Sequence, residues 1–275
     1  MKTRISRAVL AVVMFAAVTQ AAEAQDNSDR FAVPLSDPSK PALVNVNLLN
    51  GSISVRTHTG KDIIVEGSAV ARRGQNTTTR DGLRRLDTPR GLVIEEANNV
   101  VSVSSQGFSN SGGLEIQVPV KTNLKLRALN GGAIIVDGVD GEIDVQNTNG
   151  SIRLTNVSGS VVAHASNGNV LATVREVTPN KPMSFSSMNS NVDVTLPAST
   201  KANLKIRSDN GAAYSDFDVK LNPSAPPVTE DTRTNRGNGR FRIQTDHTTT
   251  GTINGGGLDV EIRTLNGNIF LRKGK

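Results

Sequence analysis

Residues 141–168 read GEIDVQNTNGSIRLTNVSGSVVAHASNG, with a glycine at every ninth position: Gly141, Gly150, Gly159 and Gly168. After each glycine the pattern G-x-[IV]-x-[VLA] places Ile143 and Val145, Ile152 and Leu154, Val161 and Ala163, then Val170 and Ala172. Gly132, Ile134 and Val136 extend the series upstream. Successive side chains of a strand point to opposite sides, so this alternation marks strands with one buried face. Each unit reads as a strand of about five residues and a turn of about four.

A nine-residue beat permits either hairpins or stacked coils, and the turns choose between them. Val139, Thr148, Val157 and Ser166 follow successive glycines by seven residues and alternate apolar with polar. Corners GVDG and NVSG alternate with NTNG and ASNG, so the full repeat is eighteen residues with two unlike corners. A meander gives no reason for like corners at every second turn. A parallel β-solenoid does, because residues one coil apart lie above each other at about 4.8 Å. Val139 is expected beside Val157, Asn149 beside Asn167, Asp144 beside Val162 and Arg153 beside Leu171.

Asn-Gly occurs eight times, at Asn50, Asn130, Asn149, Asn167, Asn210, Asn238, Asn254 and Asn266. Both residues tolerate left-handed backbone, which suits sharp corners. The apolar residues before these corners (Leu49, Leu129, Leu265, and Met188 before Asn189-Ser190) are expected to turn inward and close the core.

The flanks set the compartment. Lys2, Arg4 and Arg7 precede an apolar run from Ala8 to Val18, and Ala22-Glu23-Ala24 fits a small-x-small cleavage site. This is the pattern of a secretory signal peptide over 1–24, cut after Ala24, and its apolar part is too short for a permanent membrane span. There is no cysteine, hence no disulfide and no acylation site, and no second long apolar segment. The expected location is the periplasm or the cell surface, with no transmembrane segment. Removing the leader takes away three basic residues and one acidic one, so the formal charge falls from +6 to +4. That mild excess allows attraction to anionic envelope polymers and does not argue for nucleic acid in an exported protein. No tryptophan and one tyrosine (Tyr214) leave little aromatic surface for stacking.

A flexible lead-in is expected over 25–42, and the β-solenoid domain over 43–275. Thr77 to Leu86 is the one stretch that reads as a short helix, weakened by Gly82. A loop insertion at 222–250, rich in Pro, Thr, Arg and Asn, carries one strand-like run, RFRIQT. Open coil ends invite edge-to-edge association. The helix-containing N-terminal part and the basic tail LRKGK are the candidates for covering them.

Recurrent NG-x-I-x-V, Val118-Pro119 at a strand end, Leu196-Pro197 after a repeat, and INGGGLDVEIRTLNGNIFL at 253–271 together resemble the bacterial putative-adhesin family. The resemblance runs from Leu43 to Leu271. It implies an exported or envelope-associated β-solenoid domain of unknown function, and the family offers no catalytic residues to carry over.

The residues that could carry chemistry are sparse. His58, His164 and His247 form no close sequence pair and no H-E-x-x-H motif. Asp137 to Asp144 (DGVDGEID) gathers four carboxylates without the spacing of a calcium loop. A polysaccharide-acting enzyme needs carboxylates converging across coils, and Asp144 beside Val162 does not begin such a column. No catalytic residue, cofactor or metal site is expected. Binding is favoured by the outward apolar Val162 and Leu171, and by Arg233, Arg236, Arg240 and Arg242 in the insertion, since loops on a rigid scaffold are natural recognition sites. The sequence therefore points to an exported, non-enzymatic binding or scaffold protein of the envelope or surface, an adhesin by resemblance. Its expected partner is an anionic envelope polymer or another envelope protein. A periplasmic module sensing or organising envelope components is the alternative, and a polysaccharide-acting β-helix enzyme the third reading.

Overall fold

The computed structural model describes residues 29–67, 91–106, 112–223, 228–231, 241–244 and 248–274. Among these residues the chain is all-β, without a helix. The stretch Thr77 to Leu86, where the sequence predicts a short helix, lies outside them. The N-terminal part supplies β1 (Asp29–Val33), β2 (Ala42–His58), β3 (Ile63–Gly67), β4 (Gly91–Ala97), β5 (Val100–Gln106) and β6 (Leu114–Pro119). The centre supplies β7 (Thr122–Asp137), β8 (Asp140–Asn149), β9 (Ile152–Ala165), β10 (Val170–Val177), β11 (Met183–Ser187) and β12 (Val192–Leu196). Then follow β13 (Ala202–Ser208), β14 (Ala213–Ser215), β15 (Lys220–Leu221), β16 (Val228–Asp231), β17 (Phe241–Gln244), β18 (Thr249–Ile253), β19 (Leu258–Thr264) and β20 (Ile269–Lys273). Eighteen of these strands join one sheet, and β16 and β17 pair separately within the insertion.

The large sheet consists of two parallel ladders. In the first, β5, the front half of β2, the front half of β7, β8, the back half of β9, β11, β19 and β13 pair in that order. In the second, the order is β6, the back halves of β2 and β7, the front half of β9, then β10, β12, β20 and β14. Ile134, Ile152 and Val170 are register neighbours, as are Gly141 and Gly159, which is the eighteen-residue offset read from the sequence. Val139 and Val157 are both fully buried, and Ser158 N–H donates to Val139 O at 2.9 Å. The inward side chains of both ladders face one core. There Ala163 makes room for the fully buried Phe185, its neighbour on the next rung.

Two coils sit out of sequence order. β2 lies between β5–β6 and β7, and the last coil, β19–β20, lies between β11–β12 and β13–β14. The chain reaches this inner slot through β18, antiparallel on β13, and a reversal at Asn254, Gly255 and Gly256, all with positive φ. Asn254 Nδ2 holds the reversal by donating to Ala198 O at 3.0 Å and Thr200 O at 2.8 Å. The basic tail is therefore an inner rung and not a cover for the end.

Antiparallel strands form the ends instead. β4 lies on β5, β3 on β6 and β1 on β3 at one end, and β18 on β13 and β15 on β18 at the other. Within the lead-in, Ser36 bonds Glu96, and Asp37 N–H donates to Asn99 Oδ1 at 2.6 Å. Hydrogen bonds from Lys40 and Ser39 hold the Asp37 carboxyl at about 2.

The corners differ from expectation in two ways. Leu129, Met188 and Leu265 point outward and are exposed. The position before each already faces the core: Ala128, Ser187 and Thr264 are buried, so the next side chain on the strand must face solvent. Nor do most ladder asparagines need left-handed backbone; of the Asn-Gly asparagines described, Asn254 alone has positive φ. Glycine is required mainly by stacking distance. A Cβ on Gly168 would sit 2.2 Å from Gly150 O, and one on Gly150 would sit 2.2 Å from Gly132 O.

Candidate functional site

One corner of every central coil carries an asparagine whose amide bonds the next. Asn149 Nδ2 donates to Asn130 Oδ1 at 2.8 Å, Asn167 to Asn149 at 2.9 Å and Asn189 to Asn167 at 2.7 Å. Asn266 donates to Asn189 at 2.9 Å, and Asn210 to Asn266 at 2.9 Å. All five bonds run in one direction, so the amide dipoles align and reinforce one another. Just inside this corner, Asn147 donates to Gly132 O and Ser151 O, Ser187 to Gly168 O, Thr264 to Ser190 O and Ser208 to Gly267 O. The turn carbonyls are thereby satisfied from within. Replacing Asn167 by Ala removes one donor and one acceptor of the exposed ladder, at an expected cost of about 1–2 kcal/mol. For a chain of this size that lowers the thermal midpoint by roughly 2–8 °C. An unchanged midpoint would show that the ladder follows the fold without stabilising it.

A rigid corner fixes the outward residues three positions before it. Arg127, Gln146, His164, Ser186, Arg263 and Arg207 are successive register neighbours and form one outward column along the first ladder. His164 Nδ1 lies 2.8 Å from Ser186 Oγ, and Arg207 Nε donates to Asp209 Oδ1 at 2.8 Å. Arg127 and Arg263 have no ion pair among the described residues. Arg263 also stands directly opposite Arg207, an arrangement that like charges disfavour unless an anion lies between or beside them. In the adjoining column Lys205 pairs with Glu261, its register partner, at 3.2 Å. The surface is thus a strip of hydrogen-bonding side chains with unpaired cations, held at the spacing of the rungs.

The residues singled out from sequence fall elsewhere. Arg233, Arg236 and Arg240 lie outside the described residues; Arg242 belongs to β17, but its side chain lies outside them too. His58 closes a local turn, with Nε2 2.8 Å from Asp62 O and Nδ1 accepting from Gly60 N–H at 3.0 Å. His247 is outside the described residues. In Asp137 to Asp144, Glu142 is drawn away to Lys181 Nζ at 2.7 Å. Among the described residues no three His, Asp or Glu side chains gather as metal ligands. Asp144 neighbours Val162 and Arg153 neighbours Leu171, as the eighteen-residue register requires. Val162 is exposed and Leu171 half-buried. The Arg127–Arg207 column was not read from the sequence, because Arg263 and Arg207 are brought together only by the displaced last coil.

No family profile matches the chain, and no curated protein matches it. Among solved structures, a "putative cell adhesion protein" from Clostridium sporogenes is similar at a TM-score of 0.46 and 13% identity, covering 90% of this chain and 99% of that one.

Proposed function

We propose that the protein is an exported, non-enzymatic binding or scaffold protein of the cell envelope or surface, built as a β-solenoid whose outward strands are the working surface. Adhesion is the role that the sequence resemblance implies. The observation that carries the reading is the outward column from Arg127 to Arg207, with cations unpaired on a ladder stiffened by amide and backbone bonds. Such a strip suits a linear polyanion, the anionic envelope polymer expected from the charge. The leader-like N-terminus supports export, and no helix among the described residues is long and apolar enough to cross a membrane.

Retention of the purified protein on an immobilised anionic polysaccharide tests this directly. Elution is expected at low salt, because exposed charges are screened within a Debye length of about 10 Å at 0.1 M. The double change Arg127→Ala with Arg263→Ala should move elution to still lower salt. Salt-insensitive retention, or retention that ignores both arginines, would sink the electrostatic reading. Fractionation of cells carrying the tagged protein separates direct adhesion from the second reading, a periplasmic module that senses or organises envelope components. Material confined to the periplasm favours that second reading.

A further inference from the structure

The chain has no tryptophan and a single tyrosine, and its core takes Phe185 and Phe217. Two of its few aromatic rings nevertheless face outward together. Tyr214 on β14 is the register partner of Phe270 on β20, and their rings stack with centroids 5.4 Å apart and planes within 12°. The guanidinium carbon of Arg272 lies 5.4 Å from the Phe270 centroid. Its Nε donates to both carboxylate oxygens of Asp193, at 2.8 and 3.0 Å, and Asp193 is the register partner of Phe270 on β12. Carboxylate, guanidinium, ring and ring therefore form one cluster along the second ladder.

Tyr214 is 55% exposed. Its strand has three residues, pairs with β20 on one edge, and has no described strand on the other. The second face of the ring continues the column with nothing described upon it. We propose that Tyr214, backed by Phe270 and Arg272, is a platform for one pyranose ring of a saccharide. The C–H face of a pyranose packs on an aromatic face, while its hydroxyls need fixed polar partners at the rim. The exposed Asp216, two residues beyond Tyr214, supplies carboxylate acceptors there, while Arg272 and Asp193 stand one and two rungs behind Tyr214 and their ion pair fixes the guanidinium against Phe270. A protein-binding hot spot is instead ringed by contacts that exclude water. A stable protein interface also buries upwards of about 1,200 Å², far more than one ring on a three-residue strand offers. The rim is charged and solvated, which fits a hydroxylated ligand better than a second copy of the chain.

Because Tyr214 is the only tyrosine and tryptophan is absent, intrinsic tyrosine emission reports this site alone. The experiment titrates the full mature chain with the N-acetylglucosamine tetramer, maltotetraose and an oligouronate, reading emission and calorimetric heat in parallel. A saturable change with at least one of them is expected. Tyr214→Phe should keep the heat, while Tyr214→Ala and Phe270→Ala should weaken binding about tenfold or more, the loss of one stacking contact. Tyr214 is exposed, so an unchanged thermal transition will show that its Ala variant still folds. Silence with all three saccharides at millimolar concentration would overturn the proposal, as would wild-type affinity in Tyr214→Ala. Emission that follows protein concentration, with a dimer in sedimentation, would overturn it in favour of end-to-end self-association. Binding here should persist at salt that abolishes retention by the arginine column, so the two readings fail separately.

Discussion

Ending the chain at Gly257 is expected to destroy the whole C-terminal end of the stack, not merely to shorten it. The deletion removes β19 and β20, which stand between β11–β12 and β13–β14. It takes out the buried side chains of Leu258, Val260, Ile262, Ile269 and Leu271. At roughly 1.5–3 kcal/mol for each buried aliphatic side chain, the loss is about 7–15 kcal/mol, comparable to the whole stability of a typical domain, roughly 5–15 kcal/mol. It also leaves β12 and β14 each without the rung between them, and open parallel edges associate. Amide exchange should show Ala202–Ser208 unprotected in the shortened chain, and sedimentation should show aggregates. A separate peptide covering 256–275 should restore protection. An end coil removed from a repeat stack would cost only one interface, so protection retained over β13 would refute the inner position of the last coil.

Asn147→Asp should be the most damaging single change at the amide corner, and it should be pH-dependent. Asn147 is 2% exposed, and its Nδ2 donates to Gly132 O at 3.0 Å and to Ser151 O at 3.2 Å. An ionised aspartate there has no hydrogen to give and places a charge beside two carbonyl oxygens. An uncompensated buried charge costs about 3–5 kcal/mol, which lowers the midpoint by roughly 6–20 °C for a chain of this length. Burial and the two carbonyls raise the folded-state pKa of the new carboxyl above its unfolded value of about 3.9. Below the unfolded value both states hold the proton, and the charge penalty is absent. As pH rises through the folded value that relief is lost, and the variant reaches its full destabilisation. Asn147→Ala lacks the charge and should show a smaller loss with no such slope. Thermal midpoints measured from pH 3 to 8 for both variants decide the matter; parallel curves would show that Asn147 matters only as a hydrogen-bond donor.

How much of this was legible in the chain differs from element to element. The glycine beat and the alternation of unlike corners predicted the parallel register of β7, β8, β9 and β10, down to Asp144 beside Val162. The reason is local: a strand period of two and a repeat of eighteen leave one way to bury Ile134, Ile152 and Val170 together. The corner asparagines were legible as structural, but not as a hydrogen-bonded ladder, because that bonding depends on neighbours eighteen to seventy-seven residues away. The inward turn expected of Leu129, Met188 and Leu265 failed because the preceding residue on each strand had already taken the core side.

The functional surfaces were less legible still. The arginines that sequence singled out cluster along the chain, whereas Arg127, Arg263 and Arg207 cluster only in space. Tyr214 and Phe270 are fifty-six residues apart and share a signal: each stands four residues after an Asn-Gly corner, at Asn210 and Asn266. Equal spacing from like corners places them on one face, but their contact needs the last coil to lie beside β14 rather than beyond it.

The sequence by itself therefore determined the strand pattern, the eighteen-residue register and the identity of the corner residues, because each follows from side-chain alternation and short-range geometry. The tertiary structure alone decided the order of the coils. Parallel rungs are nearly equivalent partners for one another, so local periodicity cannot tell an inner rung from an end. That choice is made by long-range fit: antiparallel β18 occupies the edge of β13, the reversal at Asn254 turns the chain back, and the last coil fills the slot that joins both ladders. The arginine column and the aromatic platform exist only because it does.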